Sequence, residues 1–365
     1  MKTKFRIPVM MLMAAMLCTL VIVSCDSDDD KTPPPDLTAL KASITAAQAV
    51  LDGTEEGKND GQYPVGSKAA VESAITAAQA VVDNEATTQE QADAAKVSLD
   101  TVVSTYQGLV ITPIAVEALV AHWSFDEGTG TTAGDESDNG FDGTFKNGPV
   151  WPHREQAGMP AWWEDRKGEA NKAVHFGGDG GSIEIPYNTK LNPGSMSISV
   201  WLNADSINAD NRFIGLQSWI GYKFQLQGAN RPFFTAGTES DGAYDRDSEQ
   251  DLPVGEWHHV VVTYGDGNMI FYVDGELIKT WENTPQPLKS LSAKPYNLVL
   301  GQDFPTDKYG SDPNGTGFDD VNSPNYHVIP QAWGGHFRGA IDELRIYNTV
   351  LSATQVSGLY DREKP

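Results

Sequence analysis

The spacing of the apolar residues changes near residue 118, and this change constrains the fold more than any other feature of the sequence. Downstream of it, residues 196–202 (MSISVWL) alternate between apolar and polar, and residues 269–273 (MIFYV) follow a similar pattern. A period of two is typical of a strand with one buried face. The second run ends in Asp274-Gly275, a dipeptide that favours a tight hairpin turn. We therefore predict a mainly β fold with two packed antiparallel sheets over residues 118–362.

Residues 36–110 have a different composition, with many alanines and almost no aromatic residues. Their apolar residues recur every three or four positions, which predicts amphipathic helices. Residues 53–66 and 84–88 interrupt this pattern, and the sequence ITAAQAV at 44–50 recurs at 75–81. The segment is therefore predicted to form a small three-helix bundle in front of the β domain.

The first residues of the chain have the pattern of a secretory signal. Residues 1–24 begin with basic residues and continue into a long apolar run. This pattern predicts a signal peptide, with an uncleaved membrane anchor as the alternative. Residues 21–25 (VIVSC) resemble the lipobox of bacterial lipoproteins. The resemblance implies that Cys25 is lipid-modified and anchors the protein to a membrane.

Residues 25–35 (CDSDDDKTPPP) are rich in Asp and Pro. The acidic part resembles the export signal of certain Gram-negative surface lipoproteins, which implies an outer-membrane location facing the medium. A solvated spacer is the alternative. The proline run favours an extended tether. The formal net charge of −24 argues against nucleic acid as a partner, because such a surface repels phosphates.

Short motifs in the helical segment point to a family. They are Tyr63-Pro64, Ala74-Ile75-x-x-Ala78 and residues 86–89 (ATTQ) ahead of ADA at 92–94. With these motifs, residues 36–110 resemble the FIVAR helical modules of extracellular proteins. The resemblance implies a spacer, and sugar or matrix binding is the less favoured alternative.

The β segment contains a longer series of motifs. They are, in order, 122–130 (HWSFDEGTG), 135–143 (DESDNGFDG), 173–178 (AVHFGG), 255–260 (GEWHHV), 272–275 (YVDG) and 337–348 (FRGAIDELRIYN). Residues 118–362 thereby resemble a concanavalin A-like laminin-G module. The resemblance implies a jelly-roll β-sandwich that is commonly stabilised by calcium and usually binds a ligand.

Three carboxylates are candidate calcium ligands. Asp126 follows the first predicted strand, Asp135 lies on the next loop, and Asp342 lies in the last long strand. The terminal strands of such sandwiches are often neighbours, so we expect Asp126 and Asp342 to approach each other. Because Ca²⁺ prefers six to eight oxygen ligands, a structural calcium ion is predicted there. The alternative is that Asp342 forms an ion pair with Arg338 or Arg345.

Aromatic residues concentrate in two insertions, residues 151–163 and 302–336, that lack the pattern of strands. Long loops in compact domains are usually functional or disordered, and aromatic residues argue against disorder. Sugars stack their C–H faces on rings and pair their hydroxyls with polar side chains. The alternative is that the rings cover the rims of the sandwich. The candidate ligand-binding residues are Tyr309, Tyr326, Trp333, Trp162, Trp163 and Arg338.

Taken together, these patterns favour a lipid-anchored surface protein that binds extracellular carbohydrate. Glycoside hydrolysis is an alternative, and it requires two positioned carboxylates. The Glu-x-Asp-x-x-Glu strand motif of laminarinase-like hydrolases is absent from the sequence, and residues 341–343 (IDE) are its nearest match. Protein adhesion and a purely structural envelope role are the remaining alternatives.

Overall fold

A computed structural model describes residues 33–148, 158–208, 210–240, 242–291, 295–308 and 336–365. The predicted signal peptide and Cys25 lie outside these ranges. Within the described ranges, no helix is both long and apolar enough to cross a membrane. The described residues form an N-terminal helical module and a C-terminal β-sandwich.

The helical module has three helices, which lie within the predicted segment. Their apolar stripes meet in a small core of mostly short side chains, because residues three and four apart share one helix face. The helices are α1 (Thr38–Asp52), α2 (Lys68–Asp83) and α3 (Gln89–Gln107). The buried core residues are Leu40, Ala47, Leu51, Val71, Ala78, Ala92, Leu99 and Tyr106.

Local contacts fix both the start and the end of α3. Thr88 and Gln91 form a capping box, in which each side chain accepts a hydrogen bond from the other residue's backbone N–H, at 3.3 and 2.9 Å. Near the other end, the Tyr106 ring stacks on Tyr63 with centroids 4.4 Å apart. This stack ties the loop between α1 and α2 to the third helix.

The β-sandwich consists of two eight-stranded sheets whose strand pairs are antiparallel. The predicted mainly β, jelly-roll fold is confirmed. The first sheet contains β1 (Leu119–Trp123), β4 (Ala161–Trp163), β5 (Ala173–Gly177), β7 (Met196–Ala204), β12 (His258–Gly265), β13 (Asn268–Val273), β14 (Glu276–Glu282) and β16 (Arg338–Tyr347). The second sheet contains β2 (Thr132–Ala133), β3 (Gly143–Lys146), β6 (Ser182–Ile185), β8 (Asp210–Leu216), β9 (Tyr222–Gln227), β10 (Arg231–Thr238), β11 (Gly242–Asp247) and β15 (Leu298–Leu300).

The order of the strands sets which residues share a face. The first sheet runs β14-β13-β12-β7-β16-β5-β4, and β1 pairs with the end of β16 that β5 leaves free. The second sheet runs β11-β10-β9-β8-β15-β6-β3-β2. The main apolar core lies between the sheets. Within it, the Trp123 ring is fully buried and its N–H donates to the Phe141 carbonyl at 2.9 Å.

A fourth helix, α4 (Ala353–Glu363), covers part of the outer face of the first sheet. Its residues Val356 and Leu359 pack in a second apolar cluster with Val261 and Tyr272 of that sheet. The apolar spacing in the sequence did not predict this helix, although Ser352 and Gln355 form a capping box at its start. The Ser-x-x-Gln pattern ahead of two apolar residues was the available signal.

The helical module and the sandwich touch where the linker between them meets α4. Ile111 in this linker is buried, and its N–H donates to the Gln62 carbonyl of the module at 2.9 Å. On the other side, Arg362 of α4 donates from Nη1 to the Lys58 carbonyl at 3.2 Å. The linker is therefore held between the module and the last helix of the sandwich.

Candidate functional site

The first sheet presents an exposed tryptophan on its outer face. Val174 and Phe176 of β5 point into the core, so His175 between them points outward. The ring of Trp163, on the edge strand β4, lies over the His175 ring with centroids 4.7 Å apart. Trp163 is nevertheless 51% exposed, so much of the indole is open to solvent.

Asp205 and Arg338 extend this outward-facing group. His175 Nε2 lies 2.8 Å from Asp205 Oδ2, and Arg338 Nε lies 3.8 Å from the same oxygen. The Asp205 N–H donates to the Arg338 carbonyl at 3.2 Å, which fixes the two backbones side by side. The structure thus brings two of the predicted ligand-binding residues together. We call the four residues Trp163, His175, Asp205 and Arg338 the tryptophan patch.

Trp162, the neighbouring candidate, points the other way. Its ring packs against Phe145 with centroids 5.0 Å apart, and its N–H donates to the Gly130 carbonyl at 3.0 Å. The side chain is half-buried at the edge of the main core. Ligand binding by Trp162 stays a prediction, and its polar atom already has a partner inside the protein.

Two of the three candidate calcium ligands have separate partners. Asp126 is exposed, and its Oδ2 lies 3.6 Å from Lys172 Nζ. The Asp135 carboxylate accepts hydrogen bonds from the backbone N–H groups of His122 and Phe141, at 2.9 and 2.8 Å. Asp135 therefore holds its own loop against the first strand.

The third candidate, Asp342, is buried at a bulge in β16. Its Oδ2 accepts a hydrogen bond from Arg166, so its partner is neither Arg338 nor Arg345. Burial raises the pKa of Asp342 to about 7, although Arg166 lowers it. In the part of the chain that the structure describes, no three His, Cys, Asp or Glu side chains are grouped to hold a metal ion. Each of the three candidate carboxylates thus has its own protein partner, and calcium binding stays a prediction.

The charged residues beside Asp342 hold α4 to the first sheet. Glu343 Oε2 lies 2.6 Å from Arg345 Nη2 and 2.8 Å from His122 Nε2. Arg345 Nη1 in turn donates to Glu363 of α4 at 2.6 Å, and Trp201 Nε1 donates to the same carboxylate at 2.9 Å. Burial works to raise the pKa of Glu343, but His122 and Arg345 outweigh it and lower this pKa to about 2. This cluster is interior and stabilises the fold.

The second sheet has charged side chains on its outer face that are almost completely buried. Along β9, Tyr222, Phe224 and Leu226 enter the main core, so Lys223 and Gln225 point to the opposite side. Lys223 is only 4% exposed, and its Nζ donates to Gln225 Oε1 at 2.7 Å. A lysine at this position is therefore part of an organised polar group.

Arg212 and Asp303 extend the same row. Arg212 lies opposite Gln225 in the register of β8 and β9, and its Nη1 donates to Asp303 Oδ2 at 2.7 Å. Asp303 is fully buried beside Gly215, where any side chain would collide with the Asp303 backbone. We call the residues Arg212, Lys223, Gln225 and Asp303 the polar face.

Aromatic rings border the polar face. The centroid of the Trp219 ring lies 5.1 Å from the Arg212 guanidinium carbon and 4.9 Å from Lys223 Nζ. The Phe233 ring lies 5.5 Å from Lys223 Nζ on the β10 side. Both rings are half-buried, and Asp245 on β11 is exposed. The buried charged side chains of the polar face are thus bordered by a rim of two partly exposed rings and one exposed carboxylate.

The sequence did not predict the polar face, because Arg212, Lys223 and Gln225 lie on strands outside the predicted binding insertions. Only Asp303 lies in one of them. Residues 222–227 (YKFQLQ) show the alternation of a strand, but a lysine in such a pattern normally points to solvent. Nothing in one strand indicates that Asp303 approaches Arg212 from 91 positions away.

The remaining candidates from the long insertion lie mostly beyond the described residues. Tyr309, Tyr326 and Trp333 lie outside them, and their ligand binding stays a prediction. Phe304 is described and buried, with its ring centroid 6.3 Å from that of Trp219. This ring of the insertion therefore packs beneath the rim of the polar face.

Residues 176–322 match the model of a protein family described as the concanavalin A-like lectin/glucanases superfamily. The match covers strands of both sheets and includes the polar face. The chain therefore contains a concanavalin A-like lectin/glucanase domain.

A gellan lyase from a Bacillus species is 40% identical to this chain over 79 residues, which are 22% of this chain. The aligned part is only 3% of the length of that relative.

Several solved structures are similar in fold. One is domain 4 of AbnA, a GH43 extracellular arabinanase from Geobacillus stearothermophilus, in complex with arabinotriose, with 22% identity and a TM-score of 0.46. It covers 66% of this chain and 98% of the domain. Another comes from a study of botulinum neurotoxin type C and its interaction with two ganglioside molecules, with 13% identity and a TM-score of 0.45. That match covers 68% of this chain and 51% of the toxin chain.

Proposed function

We propose that this protein binds extracellular carbohydrate at the polar face of its concanavalin A-like domain. The observation behind the proposal is the burial of Arg212, Lys223 and Asp303 on the outer side of the second sheet. A sandwich needs only one apolar face per sheet, and removing a charge from water costs several kcal/mol unless partners compensate. Such exceptions to folding rules are typical of functional sites.

The chemistry of the polar face matches what a sugar offers. The guanidinium of Arg212 and the ammonium of Lys223 donate hydrogen bonds, and the carboxylate of Asp303 and the amide oxygen of Gln225 accept them. Sugar hydroxyls do both. The half-buried rings of Trp219 and Phe233 offer apolar surface to the C–H side of a sugar ring. A ligand would contact these rings, which the buried charged side chains beneath them hold in place.

Affinity electrophoresis of the full-length protein tests this proposal. Native gels would contain gellan, which the name of the Bacillus relative suggests as a probe, or the neutral polysaccharides arabinan, xylan and laminarin. We expect at least one of them to retard the protein. Lys223→Met should weaken that binding about tenfold or more, because the buried Lys223 ammonium positions the Trp219 and Phe233 rings through cation–π contacts that contribute roughly 2 kcal/mol when desolvated.

Lys146→Met is the matched control, because Lys146 is an exposed lysine of the same sheet. Melting temperatures of both variants would show that they are folded. A folded Lys223→Met protein that is retarded as strongly as the wild type would contradict the proposed site. Release of reducing sugar by the wild type would favour the hydrolase alternative.

We further propose that Cys25 is acylated and anchors the protein in the outer membrane, with its domains facing the medium. The lipobox-like residues 21–25 and the acidic stretch after them support this placement. In this arrangement, residues 25–35 are a tether and the FIVAR-like helical module is a spacer that holds the sandwich away from the membrane.

Metabolic labelling with palmitate tests the anchor. The wild type should incorporate label and Cys25→Ala should not, while Cys18→Ala, a change inside the predicted signal peptide, should still be labelled. Protease added to intact cells should remove the sandwich from the labelled protein. Labelled protein that resists protease until the cells are broken would contradict the surface location.

A further inference from the structure

The tryptophan patch on the first sheet is not used by the polar face, because the two lie on opposite outer sides of the sandwich. His175 points away from the main core on β5, whereas Lys223 points away from it on β9 of the other sheet. Two packed sheets are about 10 Å apart, so their outer faces are separated by the whole thickness of the domain. One short oligosaccharide cannot reach both.

We propose that the tryptophan patch is a second saccharide-binding site. The proposal rests on the proposed carbohydrate-binding function, and it adds a contact on the opposite side of the same domain. The consequence is that one molecule can bind two polysaccharide chains, or two distant parts of one chain, at the same time.

The patch combines an aromatic platform with polar groups of both kinds. Trp163 offers an exposed indole face, and its position is fixed by the His175 ring beneath it. Rings of this kind provide apolar area with little loss of conformational freedom on binding. A sugar stacked on the indole would bring its hydroxyl groups to the edge of the ring.

Asp205 and Arg338 lie where those hydroxyl groups would be bound. Oδ2 of Asp205 is held by His175, and the side chain of Asp205 remains 37% exposed. The side chain of Arg338 is 58% exposed, and its contact with the Asp205 carboxylate is the one at 3.8 Å through Nε. Among the described residues, neither the Nη atoms of Arg338 nor the N–H of Trp163 donates a hydrogen bond. The carboxylate can accept from one hydroxyl while the guanidinium donates to its neighbour.

The charges of the patch favour a neutral sugar over an acidic one. The carboxylate of Asp205 lies beside Arg338, so a ligand carboxylate bound to the guanidinium would approach a like charge. A neutral ring with adjacent hydroxyl groups uses both side chains without this repulsion. The tryptophan patch is therefore a site for a neutral sugar residue within a chain.

The test measures both affinity and cross-linking with the full-length protein. The probe is whichever of gellan, arabinan, xylan and laminarin retards the wild type in affinity electrophoresis. Dynamic light scattering then follows particle size as protein is added to that polysaccharide in solution. Two sites on opposite faces should cross-link the chains and enlarge the particles, and linking two sites raises the overall affinity about 100-fold or more.

Three variants separate the two sites. Trp163→Ala should lower the affinity about 100-fold, because one arm of the bivalent contact is lost, and Arg338→Met should lower it at least about tenfold. Trp163→Ala should also abolish cross-linking while retaining weaker binding. Leu277→Ala is the control, since Leu277 is an exposed apolar residue on the other edge strand of the same sheet. It should behave as the wild type.

The outcomes distinguish this proposal from the one it rests on. A folded Trp163→Ala protein that binds and cross-links as the wild type would overturn the second site and leave the polar face unaffected. Binding that Trp163→Ala abolishes completely, with Lys223→Met unaffected, would overturn the polar face and leave the tryptophan patch as the single site. A wild type that none of the four polysaccharides retards would overturn both.

Discussion

The helical module and the β-sandwich bury very different side chains. The core of the module consists of Ala, Val and Leu with a single buried tyrosine, and its ion pair between Lys96 and Asp100 is on the surface. The sandwich buries large aromatic residues between its sheets and charged side chains on both outer faces, including Arg166 and Asp303. An apolar stripe is enough to hold a small helical bundle together, whereas buried polar groups need partners in fixed positions.

The largest expected effect is a loss of stability in the sandwich that leaves the stability of the helical module unchanged. Trp123→Ala should destabilise the sandwich by roughly 3–5 kcal/mol, because it removes a fully buried ring and leaves a cavity. All nine tryptophans lie in the sandwich part of the sequence, so their fluorescence reports on that part alone. The fluorescence transition should move to much lower denaturant concentration, while the helical signal at 222 nm should retain the transition of the module. Fluorescence and circular dichroism that shift together would show one cooperative unit and contradict the comparison.

A second substitution tests the buried charges of the sandwich. Arg166→Met leaves Asp342 buried without its partner and should cost roughly 3 kcal/mol of unfolding free energy. The double variant Arg166→Met/Asp342→Leu should recover part of that loss, because no buried carboxyl group is left without a partner. Chemical denaturation of the three proteins measures the difference. An Arg166→Met protein as stable as the wild type would mean that the pair is not buried as described.

The pH dependence of the unfolding free energy of the sandwich tests the contacts of Glu343 with His122 and Arg345. Its pKa is about 2 in the folded protein, below that of an unfolded glutamate, so its ionised form stabilises the fold above pH 4.5. This contribution is lost as the pH falls from about 4.5 through 2, and by linkage it amounts to roughly 3 kcal/mol at most. The stability gap between the wild type and Glu343→Gln should therefore narrow between pH 5.5 and pH 2.5. A stability difference that stays constant over this pH range would contradict the contacts of Glu343 with His122 and Arg345.

The smallest expected effects come from a matched pair of helix caps. Thr88 in the module and Ser352 before α4 both form capping boxes. Replacing either by Ala should cost about 1 kcal/mol. Thr88→Ala should shift only the helical transition, and Ser352→Ala should shift only the tryptophan fluorescence transition. A Thr88→Ala change that moves the fluorescence transition equally would show that the module and the sandwich unfold together.

Local patterns in the sequence predicted most of the fold. The helices of the module follow from apolar spacing, and the hairpin of β13 and β14 follows from its alternation and the Asp274-Gly275 turn. The helix α4 was missed because its eleven residues have only a short apolar pattern, although its Ser352 cap was visible. These features depend on residues that are close in the chain.

The candidate site was harder to predict because it depends on distant pairs. Asp342 was expected to pair with a nearby arginine or with calcium, but Arg166 reaches it from 176 positions away. Trp163 and Arg338 were predicted individually, whereas the link through His175 and Asp205 needs the register of three strands. The polar face was hidden because a lysine on a strand gives no sign of being buried.

A glycan array probed with the full-length wild type, Lys223→Met and Lys146→Met proteins is the most direct test of carbohydrate binding at the polar face. We expect the wild type and Lys146→Met to bind the same saccharides, and Lys223→Met to lose most of that signal while remaining folded. Equal binding by all three proteins, or no binding by the wild type to any saccharide on the array, would contradict it.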